Sequence, residues 1–390
     1  MSEIKVNSIK GVGASTAAIT VNNTDGTCTA NITNNLSNRN LVQNGAFQIV
    51  QRASSSTTSG YGSVDRWQGQ HSSTGVTVTH SQQSTSSSDA PYQNGFQNFF
   101  RLALSGAGTA NNGAYLEMQH RIEAQNIANS GWNFKSSSSN ITLSFWVRPS
   151  TNQTFYCYLR TSDGTAQHYA FSFTASGNNT WTKITKTITG NTNLQFDNNN
   201  GEGFALVITP FYGTSYTNNL TLNQWTGIDN SNYLPDMAST WLTAGASTFD
   251  VTGVQLEVGS VATDFEHRSF AQELALCQRY FQRFATGDGT NIGIGFYYTS
   301  SQLIMVLDYI VQMRTTPTFS MISGTHYYVI YANGVADTFN SFTISSGVGS
   351  DLRCEIYNNS EISGTSGSAG VVRCNNAAPN GGQIDLSAEL

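Results

Sequence analysis

From Asn40 onward the chain alternates apolar and polar residues in short runs, separated by turns of Ser, Thr, Asn and Gly. A side-chain period of two sends successive residues to opposite faces of a strand, so each run prescribes one buried face and one outer face. In AYLEMQHRIE, Leu116, Met118 and Ile122 fall on one face, with Tyr115, Glu117, Gln119 and Arg121 on the other. In ITLSFWVRPS, Ile141, Leu143, Phe145 and Val147 form the apolar face, leaving Trp146 and Arg148 opposite. In TFYCYLRTS, Phe155, Cys157 and Leu159 point one way, and Tyr156, Tyr158 and Arg160 the other. Further runs follow in WTKITKTIT, GFALVITPFY and FDVTGVQLEVG. Strands at this spacing predict an all-β sandwich with long polar loops, such as HSQQSTSSSDAPYQNG over residues 80–95.

A chain of 390 residues is too long for one ordinary core. Composition and pattern divide it into an arm over residues 1–40, a β-sandwich over 41–268, a linking helix over 269–286 and a smaller β-sandwich over 287–390. The arm has too few large apolar side chains for a core of its own, so it is expected to pack on a partner protein or on copies of itself. The helix is read from about Phe270 to Phe284, where Leu274, Cys277, Tyr280, Phe281 and Phe284 recur at helical spacing and form a packing seam between domains or copies. Ser269 is its N-cap, Gln272 closes a capping box, and Glu273 suits the helix dipole. Glycine-rich strands return in NIGIGFYYTS, LIMVLDYIVQM, HYYVIYANG, LRCEIYNN and GVVRC.

Only 11% of residues are charged and 11% are aromatic, which indicates an uncharged, hydrogen-bonding surface over aromatic cores. Eighteen basic residues in a chain of net charge −6 leave no stripe with which to neutralise phosphates, so nucleic acid is excluded as a partner. No apolar run reaches the roughly 18 residues of a membrane-spanning helix, so no membrane insertion is expected. The opening MSEIKVNSIKG lacks the apolar centre of a signal peptide, which implies synthesis in the cytoplasm without a secretory leader. The five cysteines are widely spaced with no CxxC pair, which argues against a disulfide framework or a zinc site. Cys157 and Cys277 read as core residues, and pairing of Cys354 with Cys374 is left open. No phosphate-binding, dinucleotide, metalloprotease or hydrolase motif occurs, and no cofactor is expected.

Asp264, Glu266, His267 and Arg268 stand together in TDFEHRS and are read as salt bridges that pin the joint before the helix. Asp65 and Arg66 in YGSVDRW are read in the same way. A glycosidase pair of carboxylates leaves no local signature, and Glu117, Glu123, Asp163, Asp197 and Glu202 are available to one. The chemistry that the composition suits is carbohydrate binding, because sugar rings stack on aromatic faces while Asn, Gln, Asp and Arg hydrogen-bond their hydroxyls. Trp146, Tyr156, Tyr158, Arg148, Arg160 and His168 are the candidate platform, unless a second core layer or a neighbouring subunit covers them. Tyr212, Tyr216, Trp225, Tyr233 and Trp241, in loop-like sequence, are the alternatives.

The segments NRNLVQNGAFQIVQRASSSTTSGYGSVDRW, LSFWVRPS, GVQLEVGSVATDFEHRSFAQELALCQRYF and MRTTPTF resemble tail-fibre-type virion proteins of tailed bacteriophages, particularly marine and cyanobacterial ones. MSEIKVNSI resembles the start of fibre or adaptor proteins in the same phages. The resemblance implies a carbohydrate-binding-type jelly roll, a homotrimer, an N-terminal arm docked on a tail or adaptor protein, and a distal part that touches a host surface polysaccharide outside the cell. Its shared motifs are architectural and identify no sugar-contacting residue. Two other classes stay open: a purely structural virion protein such as a head fibre, decoration or tail-joint protein, and a polysaccharide-degrading tailspike. The last would need two carboxylates about 5 to 9.5 Å apart in a groove.

Overall fold

The computed structural model describes residues 6–10, 12, 19–21, 24, 28–30, 38–177, 179–345, 347–375 and 381–390. The chain is all-β, with four short helices among these residues. Its largest unit is a sandwich of two six-stranded antiparallel sheets. Sheet I runs, in spatial order, Trp225–Gly227, Gln167–Thr174, Thr154–Thr161, Glu202–Tyr212, Tyr115–Glu123, Trp67–Ser72. Sheet II runs Thr182–Thr189, Asn140–Pro149, Thr248–Val258, Asn98–Leu104, Val78–Ser84, Ser55–Ser56. The chain crosses repeatedly between the sheets, an arrangement consistent with the jelly roll that the resemblance implies. Leu116, Met118, Ile122, Ile141, Leu143, Phe145, Val147, Phe155, Cys157 and Leu159 are all buried in the layer between the sheets. The polar loop read over residues 80–95 is shorter than expected, since strand Val78–Ser84 and a helical turn, Ala90–Gln93, occupy parts of it.

Strand Thr248–Val258 carries a bulge between Thr252 and Gln255. Gly253 makes it possible: its φ is +63°, and a Cβ there would stand 2.6 Å from the Phe96 ring.

A second apolar cluster, from Ala285 to Ala388, lies between a three-stranded and a seven-stranded sheet. The outer face of the seven-stranded sheet exposes Ile294, Phe296, Tyr298, Val306 and Tyr331. Cys354 and Cys374 are free and buried, and the strands that carry them are separated by two others, so the pairing left open above does not form. Near the N-terminus, Ser8–Ile9, Ile19–Val21 and Cys28–Ala30 form a three-stranded antiparallel sheet, with Val6, Ile9 and Val12 exposed. Most of the GVGAS cluster and of the polar segment NITNNLSNRN lies outside the described residues.

The helix is shorter than its apolar spacing suggests. It spans Phe270–Gln278, with the expected Ser269/Gln272 capping box, and residues Phe281–Thr286 form a strand paired with Gln383–Ser387. Tyr280 and Phe281 therefore owe their burial to the strand and the turn before it; Phe284, also on the strand, packs on the second cluster. An aromatic run suits either periodicity, and pairing with a strand a hundred residues later decided it. Cys277, Tyr280 and Phe281 are buried within a single chain, and Leu274 is half-buried. Tyr280 and Phe281 lie under the guanidinium groups of Arg66 and Arg52, which come from the sandwich.

Buried ion pairs complete that joint. Glu123, wholly buried at the end of its strand, accepts from Arg279 Nε at 2.7 Å and Nη2 at 2.9 Å, and from the Tyr280 hydroxyl. Asp65 and Arg66 do not pair with each other as read above. Asp65 accepts from Gln51 and lies 3.7 Å from Arg52, whereas Arg66, fully buried, donates to Glu389 and rests 3.4 Å from the centre of the Tyr280 ring. The two stand in a turn, and the left-handed backbone of Arg66, φ +70°, takes its side chain away from Asp65.

The TDFEHRS segment is also different in detail. Arg268 lies 3.3 Å from Glu266 and 3.5 Å from Glu273, so a salt bridge is present. Glu266 also accepts from the backbone amides of Asn38 and Asn40, and Arg268 donates to the carbonyls of Asn40 and Val42. Asp264 receives Arg39 through its backbone carbonyl. His267 contacts the Asn94 carbonyl at 3.1 Å and packs against the rings of Phe96 and Phe265, so it is a stacked side chain and not an ion-pair partner. The segment clasps the entry of the sandwich, residues 38–42.

Candidate functional site

The outer face of sheet I is hollow because its central strand is small there. Strand Glu202–Tyr212 presents Ala205 and Val207 outward, and register sets longer side chains on both sides of them. Arg160, Ala205 and Arg121 lie in one cross-strand row, and Tyr158, Val207, Gln119 and Gln68 in the next. The result is a trough of about 180 Å³ lined by Gln70, Tyr115, Glu117, Gln119, Arg121, Tyr158, Arg160, Tyr212, Tyr216 and Tyr233. Tyr216 and Tyr233 come from the long connection after the central strand, where the Tyr233 amide donates to the Tyr216 carbonyl at 2.9 Å. That connection folds over one end of the trough, and its Leu234 packs with Tyr156, Tyr158, Ala170 and Val207 in a small apolar layer.

Two hydrogen-bonded systems line the hollow. In the first, the Tyr158 and Tyr212 hydroxyls are 2.9 Å apart and Tyr212 donates to Glu117. Burial raises the Glu117 pKa, against the opposing pull of Tyr212, Arg160 and Arg121, and so favours its neutral form. In the second, Glu202 accepts from Arg160 Nη2 at 3.1 Å and from the Ser162 hydroxyl at 2.6 Å, with Arg121 Nε at 3.2 Å. Gln119 Oε1 accepts from both Gln70 and Arg121. Tyr233 stacks on Tyr158 with centroids 5.5 Å apart and planes at 14°, while Tyr115 meets Tyr216 edge to face at 5.7 Å. Tyr115, Tyr216, Tyr233, Gln70, Arg121 and Arg160 are half-exposed and offer both ring surface and polar edges to the trough.

The candidate platform is only partly assembled. Tyr158 and Arg160 reach the trough. Tyr156 is 9% exposed beneath the apolar layer, and His168 is 2% exposed behind Tyr158, its ring 4.9 Å away. Trp146 and Arg148 belong to sheet II, whose outer face points the opposite way. Arg148 holds the buried Asp250 at 2.9 Å, together with Arg101, and lies over the Trp181 ring. Trp146 lines a separate hollow with Lys183, Phe265 and His267. Alternation assigns a face within each strand but not the sheet to which the strand goes, and the grouping failed there. Of the loop alternatives, Tyr212, Tyr216 and Tyr233 join the trough, Trp241 is wholly buried, and Trp225 lies on the edge strand. Tyr115, Gln119 and Arg121, missed as site residues, were on the outer face that the same alternation assigned. Among the described residues no cluster of His, Cys, Asp and Glu is placed to hold a metal ion, and no helix is long and apolar enough to cross a membrane.

No protein-family model matches the sequence, and no curated protein matches it. Solved structures that overlap part of the chain include the enzymatically active domain of bacteriophage CBA120 tailspike protein 4, at 14% identity and a TM-score of 0.32, over 56% of this chain and 21% of that one. This chain thus spans about a fifth of the tailspike chain. A CBM4 structure overlaps at 12% identity and a TM-score of 0.28, over 56% of this chain and 99% of that one. The family 11 carbohydrate-binding module of Lic26A-Cel5E from Clostridium thermocellum gives 11% identity and 0.27, over 55% and 98%. Overlap at this level establishes neither a common fold nor a common ligand.

Proposed function

We propose that the chain binds a glycan without cleaving it, in the setting its sequence resemblance indicates: a tail-fibre or receptor-binding protein of a phage virion that adsorbs to a host surface polysaccharide. In this proposal the N-terminal arm docks on the tail or an adaptor, and copies associate as a homotrimer. The observation that supports binding is the trough, where half-exposed tyrosine rings stand beside guanidinium and amide edges over an Ala205/Val207 floor. Such a mixture matches a sugar, whose ring has apolar faces and a hydroxylated rim. At about 180 Å³ the trough is smaller than the ~300–1,000 Å³ of pockets that enclose whole ligands, so it suits one ring of a longer chain.

Binding without cleavage is supported by the state of the two carboxylates. Glu202 is engaged by two arginines, and Glu117 is buried against a tyrosine hydroxyl. Affinity electrophoresis of the full chain through gels containing soluble polysaccharides tests the reading. At least one polysaccharide retards the protein, and Tyr233→Ala or Tyr115→Ala weakens that retardation about tenfold, as expected for one lost ring contact. Free migration in every gel rejects glycan binding, and new reducing ends in the bound polysaccharide reject the non-cleaving part.

A further inference from the structure

The charges of the trough are unequal, and they narrow the class of sugar. Arg121 and Arg160 flank Ala205 in one row, each 26% exposed, and both converge on Glu202. A guanidinium carries five donors in a planar fork, and Glu202 and Gln119 engage only some of the donors of the two. Glu202, 14% exposed, stands outside the lining behind the two arginines and also serves Ser162. Arg160 Nε, though buried, has no hydrogen-bond partner among the described residues. The carboxylate of the lining, Glu117, is buried and donated to by Tyr212. Asp229 and Asp236, in the covering connection, accept from Ser231 and Thr217 respectively. Within the lining, two half-exposed cations therefore stand beside a single carboxylate that is buried, on a chain whose net charge is −6.

Resting on the glycan-binding reading, we propose that the trough selects an acidic sugar, with the carboxylate of a uronic acid residue seated between Arg121 and Arg160 and its ring against Tyr233 or Tyr115. The planar fork of arginine matches a carboxylate bidentately, which a neutral hydroxymethyl group at the same ring position cannot reproduce. Glu202 holds the two guanidinium groups side by side before the ligand arrives, so little ordering is required on binding.

The test compares three probes on the folded full chain by titration calorimetry: polygalacturonate, the same polymer with its carboxyl groups reduced to hydroxymethyl, and the sulfated galactan carrageenan. Polygalacturonate is expected to bind at least tenfold more tightly than its reduced form, with affinity that falls as salt is raised. Arg160→Gln and Arg121→Gln should each remove most of that difference, lowering the affinity for polygalacturonate by a larger factor than the affinity for the reduced polymer. Thermal melts identify a variant that has lost its fold, and the reduced-polymer control then rests on the other variant. Equal affinity for the acidic and reduced polymers overturns the inference and leaves glycan binding standing. Carrageenan binding as tightly as polygalacturonate overturns the carboxylate assignment. Absence of binding to all three, with retardation by some other neutral polysaccharide, overturns the inference alone; absence against every polysaccharide overturns both.

Discussion

His168 sits behind Tyr158, 2% exposed, and its Nε2 has no hydrogen-bond partner among the described residues. Burial, helped by the nearby Arg160 charge, lowers its pKa from the ordinary 6.5 to about 4. The sign follows from the two states. The unfolded chain takes up a proton as the pH falls below about 6.5, whereas the folded chain refuses it until about pH 4. The imidazole thus costs the fold nothing at pH 7.5. Across the acid window it destabilises the fold by about 3 kcal/mol, a sizeable part of the ~5–15 kcal/mol available to a domain. Urea unfolding of the wild type and of His168→Gln, at steps from pH 7.5 to pH 4, measures this directly. His71, His80 and His120 are also held low, but they titrate in both proteins and cancel in the comparison. The wild type should lose about 3 kcal/mol more than the variant over this window. Parallel curves would refute the assignment and put His168 within reach of water, as a contact residue of the trough must be.

Glu123 gives the opposite pH behaviour: burial raises its pKa, but the Arg279 and Tyr280 hydrogen bonds outweigh burial and hold it below the ordinary 4.5. Its contribution is present above that value and is lost as the pH falls through the lowered one. Glu123→Gln should cost about 2–4 kcal/mol at neutral pH, with a deficit that shrinks on acidification in denaturant titrations. Asp250→Asn leaves Arg101 and Arg148 facing a neutral amide. About 2–3 kcal/mol and about 5–10 °C in Tm should be lost by calorimetry. Glycan binding should be unchanged, since neither arginine reaches the trough. Gly253→Ala places a Cβ against the Phe96 ring at φ +63°, and should cost about 2–4 kcal/mol in equilibrium unfolding.

Which side chains would be buried was plain in the alternation, and Leu143, Phe145, Cys157 and Leu159 needed nothing more. The capping box at Ser269 was equally plain, because its partners are three residues apart. What the sequence did not disclose depends on long-range pairing. Trp146 and Tyr158 show the same local pattern and stand on opposite sheets. Phe281 and Phe284 fit a helix until a strand a hundred residues away claims them. The trough was half legible: its outward faces could be read strand by strand, but the hollow exists because Ala205 and Val207 fall between the rows of two neighbours. Register of that kind is a property of the assembled sheet.

Arg66 and Glu389 are 323 positions apart. At roughly 5–20 residues per second, the chain leaves the ribosome with its sandwich strands made well before that carboxylate exists. Strand Gln383–Ser387, a few residues before Glu389, is the middle member of its three-stranded sheet. One segment therefore supplies both the centre of the second unit's three-stranded sheet and the counter-ion of Arg66, so neither is complete before that segment is made. Limited proteolysis of stalled nascent chains can test this. The joint around Tyr280 should stay cleavable until residues 383–389 have cleared the exit tunnel, and protection at shorter lengths would show that the units dock without them.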